Sequence, residues 1–277
     1  MKNIRNAIAL ILGMMAVNAG TAVAGPVFLT GHDPDFHTQA GAGANLLRIG
    51  LSYALGGTAN FNDNVHKVLW VESFISPPGG HLVGANSLPI LGLTAGVDYD
   101  WVDAAGFTGA TLSNYSAIGI ASTFGGVLTA AELSALIGRS ADIASFVNSG
   151  GGLFASAECY PCGANLAGSA ANLFGFVPVT VTSIGASAPF TVTPFGAGLG
   201  LLDSDLNDPT HNSFGLVGGL NIVDTDAAGH ATTLAGNVRI GDGGFTPVDV
   251  PEPATLGLFA AGFLSLGAMR RRRNAKA

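Results

Sequence analysis

The chain has 277 residues, 48% of them hydrophobic and only 10% charged, against roughly 25% charged in an ordinary soluble domain. Between residues 25 and 250, Arg48, Lys67, Arg139 and Arg239 face seventeen acidic residues, a net charge of −13 (4 − 17) that repels nucleic acid and anionic membrane surfaces. The apolar content excludes a disordered chain, and the length suits one large domain or two small ones.

The first stretch, MKNIRNAIALILGMMAVNAGTAVAG, opens with Lys2 and Arg5, runs apolar from Ala7 to Val17 and ends in Ala22-Val23-Ala24. That order predicts a secretory signal peptide over residues 1–24, cut before Gly25, and a body exported through the inner membrane. Disulfides are allowed there.

The body reads as alternating strands and helices. Pro26–Thr30 is a short apolar run closed by Gly31, the first predicted strand. Ala40–Leu55 carries a helical stripe through Leu47, Leu51 and Leu55. Lys67–Glu72, Val97–Val102 and Tyr115–Ser122 predict three further strands. Thr129 and Glu132 form a capping box that opens a helix running through Val147, with Gly138 as an interruption and Gly150-Gly151-Gly152 as its stop. Leu153–Ala157 is a fifth strand.

Beyond Phe174 the texture becomes Thr/Val-rich, in PVTVTSIG and PFTVTPFG, with short strands expected at Asn221–Asp224 and Asn237–Ile240. The predicted fold is α/β over residues 25–240, a three-layer sandwich with a mostly parallel sheet and a β-rich C-terminal extension over 175–240. Residues 241–250 read as a Gly/Pro linker.

Ala254–Met269 is sixteen residues without a charge, close to the roughly 17 to 20 apolar residues that a spanning helix needs. It predicts a short stop-transfer transmembrane helix, with Arg270, Arg271, Arg272 and Arg273 held on the cytoplasmic side. The order Pro251-Glu252-Pro253, apolar run, arginine cluster resembles the PEP-CTERM sorting signal, over about the last 27 residues. The resemblance implies recognition by exosortase, a membrane-embedded transpeptidase that cuts near the Pro-Glu-Pro. It also implies delivery to the cell surface or to an exopolysaccharide matrix.

In parallel α/β sheets ligands bind beyond the carboxyl ends of the strands. His32-Asp33-Pro34-Asp35-Phe36-His37 follows the first strand, Glu72-Ser73 the second, and Glu158-Cys159-Tyr160-Pro161-Cys162 the fifth. Two imidazoles and two carboxylates in six residues suit general acid–base work, sugar hydroxyls or a divalent metal, with His32, Asp35 and His37 as candidate ligands. The bland alternative is a polar turn, since Asp-Pro favours one. Asp203–Asn212 is a further polar cluster, with oxygen ligand types but without calcium-loop spacing, and it carries His211. Cys159 and Cys162 read first as a local disulfide, with a nucleophilic Cys159 beside Glu158 as the sharper alternative.

The stretch from YSAIGIAS through ADIASFVNSGGGLFASAE, Tyr115 to Glu158, resembles the class I glutamine amidotransferase-like fold, a flavodoxin-like sandwich, and within it the trehalose-utilisation-protein-like branch. The resemblance implies a functional turn after the fifth strand and a body that acts on or binds sugars. The functional expectation is an exported protein binding a carbohydrate, exopolysaccharide or small polar ligand through His32, Asp33, Asp35, His37, Glu72 and His211. The alternatives are an extracytoplasmic hydrolase with His32 or Glu158 as base or Cys159 as nucleophile, and a non-catalytic matrix component.

Overall fold

The computed structural model describes residues 24–38, 43–56, 67–74, 84–123, 128–156, 174–183, 188–206, 212–216, 218–241 and 244–248, and the structural statements below concern these. The chain divides into a body, Met1–Pro247, and a terminal unit, Val248–Ala277. Every described element belongs to the body.

Five strands run parallel: β1 (Gly25–Thr30), β2 (Val68–Val71), β3 (Tyr99–Val102), β4 (Ala117–Ile120) and β5 (Gly152–Ser156). Every residue of β1, β2, β4 and β5 is buried. Near-continuous apolar runs such as VFL, VLW and LFA are what strands covered on both faces require. The outermost strand, β3, buries Tyr99 and leaves its other three residues half-buried, as an edge strand does.

Successive side chains feed two cores, one on each face. Val27, Leu29, Leu69, Val71, Ile118 and Leu153 pack with helices α4 (Ala104–Gly109), α5 (Ala130–Gly138) and α6 (Ser140–Asn148) through Phe107, Leu133, Leu136, Ile143 and Val147. Phe28, Val68, Trp70, Ala117 and Phe154 pack on the other side with α2 (Gly43–Ala54) and α3 (Gly84–Ile90) through Leu46, Leu47, Leu51 and Leu88. The result is a three-layer α/β arrangement.

Two glycines permit close approaches. A Cβ on Gly119 would lie 2.5 Å from the Trp70 ring, and one on Gly152 would lie 1.7 Å from the Ala54 carbonyl oxygen.

The parallel strands lie in the order β3-β2-β4-β5-β1. This departs from the flavodoxin-like order 2-1-3-4-5, because the first strand sits beyond β5 instead of beside β2. There β1 is flanked by β5 on one edge and by an antiparallel strand, β10 (Ala231–Gly241), on the other.

The C-terminal half continues this one sheet. β6 (Thr180–Ser183) pairs with β8 (Asn212–Leu216), β8 with β10, and β7 (Thr191–Val192) with β9 (Asn221–Thr225), all antiparallel. The sheet is therefore mixed, with eleven strands.

Several expectations change. The predicted helix from Thr129 to Val147 is two helices: the capping box forms as expected, but Arg139 leaves the helical path between α5 and α6. Its guanidinium instead donates to the carbonyls of Phe107 and Ala110 and pairs with Asp142. Helices α3 and α4, of seven and six residues, were not predicted, being too short to show a helical period. The expected linker begins inside the fold: Gly244–Pro247 forms β11 against β10, and Phe245 is buried in the core.

Candidate functional site

The carboxyl ends of β1, β2, β4 and β5 meet at one edge of the sheet, and the polar residues that follow β1, β2 and β4 are buried there. β1 leads through Gly31, whose N–H donates to the Thr232 carbonyl, into His32, Asp33 and the short helix α1 (Pro34–His37). Proline at the first helical position suits a turn that begins at once. His32, Asp33, Asp35 and Glu72 are each at most 1% exposed.

His32 Nε2 lies 2.9 Å from Asp224 Oδ2, and both side chains are fully buried. The Thr232 hydroxyl donates to the same carboxylate oxygen. The Phe190 ring meets the imidazole edge-on at 4.9 Å between centroids. The His32 backbone N–H donates to Thr30 Oγ1, which bonds in turn to Thr233 Oγ1 at 2.9 Å.

The sheet register produces this meeting. Along β9 and β10 the partners are Thr225 with Ala231, Asp224 with Thr233, then Ile222 with Leu234. Thr232 is thus an extra residue on β10, and Val223 an extra residue on β9 one step later. Two bulges of opposite sense bracket the Asp224–Thr233 pair. Bulges re-aim side chains, and these bring Asp224 and Thr232 onto His32.

Asp35 ties α1 to the end of β4, accepting from the Ser122 N–H at 2.9 Å and its hydroxyl at 3.1 Å. Its own carbonyl accepts from the Ser87 hydroxyl of α3. Glu72 Oε2 accepts from Trp70 Nε1 at 2.6 Å. Burial, then the charges of Glu72 and Asp98, pushes the Tyr99 hydroxyl pKa up. His37, with 31% of its side chain exposed, lies 3.7 Å from Asp33 across one helical turn.

The structure therefore gathers His32, Asp33, Asp35 and Glu72 at the edge where they were expected, with His37 on the rim. The proposed metal candidates take separate partners: His32 holds Asp224, Asp35 holds Ser122, and His37 faces Asp33. Among the described residues no group of three or more His, Cys, Asp or Glu side chains could hold a metal ion. Glu158, Cys159, Cys162 and His211 lie outside the described residues.

Asp203 and Asp205 in the second acidic cluster act as fasteners. Asp205 accepts from Asn45 of α2 and from the Leu202 N–H, and Asp203 accepts from the Val192 N–H.

Asp224, Thr232 and Ser122 were missed by sequence reasoning. The available signal was the polar pair Asp224 and Asp226 closing an apolar strand. A cavity of about 790 Å³ lies at the opposite, amino edge of the strands, lined by Pro26, Thr111, Ser113, Tyr115, Arg139 and Phe146 among others. None of the predicted site residues lines it; the buried His32, Asp33, Asp35 and Glu72 lie at the carboxyl edge.

Residues 249–273 match the PEP-CTERM protein-sorting motif. The motif identifies an exported protein, processed by exosortase and sorted toward the cell surface. Pro251, Glu252, Pro253 and the arginines Arg270–Arg273 fall within the matched residues. No curated protein and no solved structure matches the chain. Among the described residues no helix is long and apolar enough to cross a membrane, and Ala254–Met269 lies outside them.

Proposed function

We propose that the exported body binds a small, uncharged polar ligand, of which a sugar is the leading class, at the carboxyl-edge cluster of His32, Asp33, Asp35, His37 and Glu72. One observation carries the reading: a body with few charges buries His32, Asp33, Asp35, Glu72 and Asp224 at the edge where α/β sheets hold ligands. Burying charge is costly and rarely stabilises a fold better than apolar packing does. Polar groups kept at such cost mark sites of function more often than sites of stability. Carboxylates and imidazoles are acceptors and donors for hydroxyl groups, and the negative body disfavours anionic ligands.

We infer kinship with amidotransferase-like proteins from Tyr115–Glu158, with weaker support from the first strand and its His-rich loop. Membrane anchoring through Ala254–Met269 before processing also belongs to this proposal.

The test is calorimetric titration of the full chain with neutral mono- and disaccharides. Saturable binding that weakens at least tenfold in His32→Ala and His37→Ala supports the reading. Binding that both variants leave untouched removes this cluster as the site.

A second reading is favoured by the His32–Asp224 pair, since a carboxylate on one imidazole nitrogen orients the ring as a general base. In that hydrolase reading, nitrophenyl esters or glycosides are turned over by the parent chain and not by Asp224→Asn. Absence of both binding and turnover leaves the non-catalytic matrix component.

A further inference from the structure

Phe74 is the one aromatic side chain among the large exposed hydrophobic residues of the described part, 60% exposed. It stands two residues after Glu72, just past the carboxyl end of β2. Its ring meets Trp101 of β3 at 4.9 Å between centroids and 72° between planes. Trp101 is paired in register with Trp70, so the chain's two tryptophans sit side by side on adjacent strands.

Their indole N–H groups differ. Trp70 Nε1 donates to Glu72 at 2.6 Å. Trp101 Nε1 is buried and donates to no acceptor among the described residues. A buried donor left unpaired costs about 1–3 kcal/mol, and such groups call for an explanation.

We propose that Phe74 and Trp101 form a sugar subsite, in which the apolar face of a neutral pyranose ring lies on Phe74 and, after a side-chain movement that uncovers it, Trp101 Nε1 donates to a ring hydroxyl. The inference rests on the ligand-binding reading above and adds a place and a ligand class to it. Aromatic rings offer flat apolar area with a polar neighbour, which matches a molecule with an apolar face and a hydroxyl rim. The adjoining Glu72 and Ser73 supply further acceptors and a hydroxyl donor. An anionic ligand would meet Glu72 and a body of charge −13.

The experiment is a tryptophan-fluorescence titration of the full chain with glucose, galactose, mannose, N-acetylglucosamine, maltose and cellobiose. The expected result is a saturable change with at least one of these sugars. Phe74→Ala weakens that binding tenfold or more, Phe74→Tyr restores it, and Trp101→Phe, which keeps a ring and removes the N–H, weakens it severalfold. Calorimetry reads the Trp101 variant independently of its altered emission.

Two results overturn the subsite. One is that none of the six sugars binds. The other is binding that Phe74→Ala leaves unchanged. In the second case, loss in His32→Ala retains the deeper cluster as the site while the aromatic subsite falls. Loss in Phe74→Ala with full binding in His32→Ala keeps the subsite and removes the cluster.

Discussion

Asp224 is the acceptor that His32 and Thr232 share, and both side chains reach it inside the protein. Removing Asp224 takes the acceptor from two buried hydrogen bonds, at about 1–3 kcal/mol each. Asp224→Ala is therefore expected to lower the melting temperature by roughly 5–15 °C, measured by thermal unfolding. His32→Ala in that background should add far less than it does alone, because the pair is already broken. An equal effect in both backgrounds would mean that the two side chains do not interact in solution. Gly152→Ala is a sharper steric test, since its Cβ would meet the Ala54 carbonyl at 1.7 Å. The expected cost is about 1–3 kcal/mol, read from urea midpoints. At this scale the sequence shows half of the site. His32, Asp33, Asp35 and Glu72 stand out because each follows an apolar strand. Asp224 does not stand out as a partner, because its aim depends on two bulges in a register set by another strand.

The β9–β10 hairpin is closed by a turn that Asp226 holds together. Its carboxylate accepts from the Ala228 N–H, the His230 N–H and His230 Nδ1, at 2.8 to 2.9 Å. Burial opposes ionisation of Asp226, but these hydrogen bonds outweigh it and hold its pKa below the ordinary value. A depressed native pKa gives stability that is complete above the unfolded value of about 3.9. That stability is lost as pH falls through the native value. Asp226→Asn should flatten the acid side of the stability curve, measured as urea midpoints from neutral pH downward; an unchanged acid slope would sink the assignment. Helix α5 is a second case, where Thr129→Ala removes one half of a complete capping box and should cost about 1 kcal/mol. The capping box was legible because it is a local pattern of two residues. The break at Arg139 was not, because the carbonyls that receive its guanidinium lie on α4 and on the residue that caps it, about thirty residues away.

Across the whole molecule, body and tail have separate tasks. The matched motif covers residues 249–273, and the described fold ends at residue 248. Replacing Pro251, Glu252 and Pro253 by alanine is expected to stop exosortase processing without altering the melting temperature of the body. Intact mass of the protein recovered from cells decides it: the variant keeps Ala254–Ala277, and the parent loses them. Loss of the tail from both chains would show that this triplet does not direct the cut.

The sorting tail, the α/β class, the five parallel strands and the polar residues at their ends were legible along the chain. These depend on composition, short-range period and motifs read along the chain. The place of β1 beyond β5, the joining of the C-terminal strands to the same sheet and the contact of His32 with Asp224 emerged only from the folded chain. Each of these is a pairing between segments far apart in sequence, fixed by which strand edge remains open and by the register that buries the apolar faces on both sides.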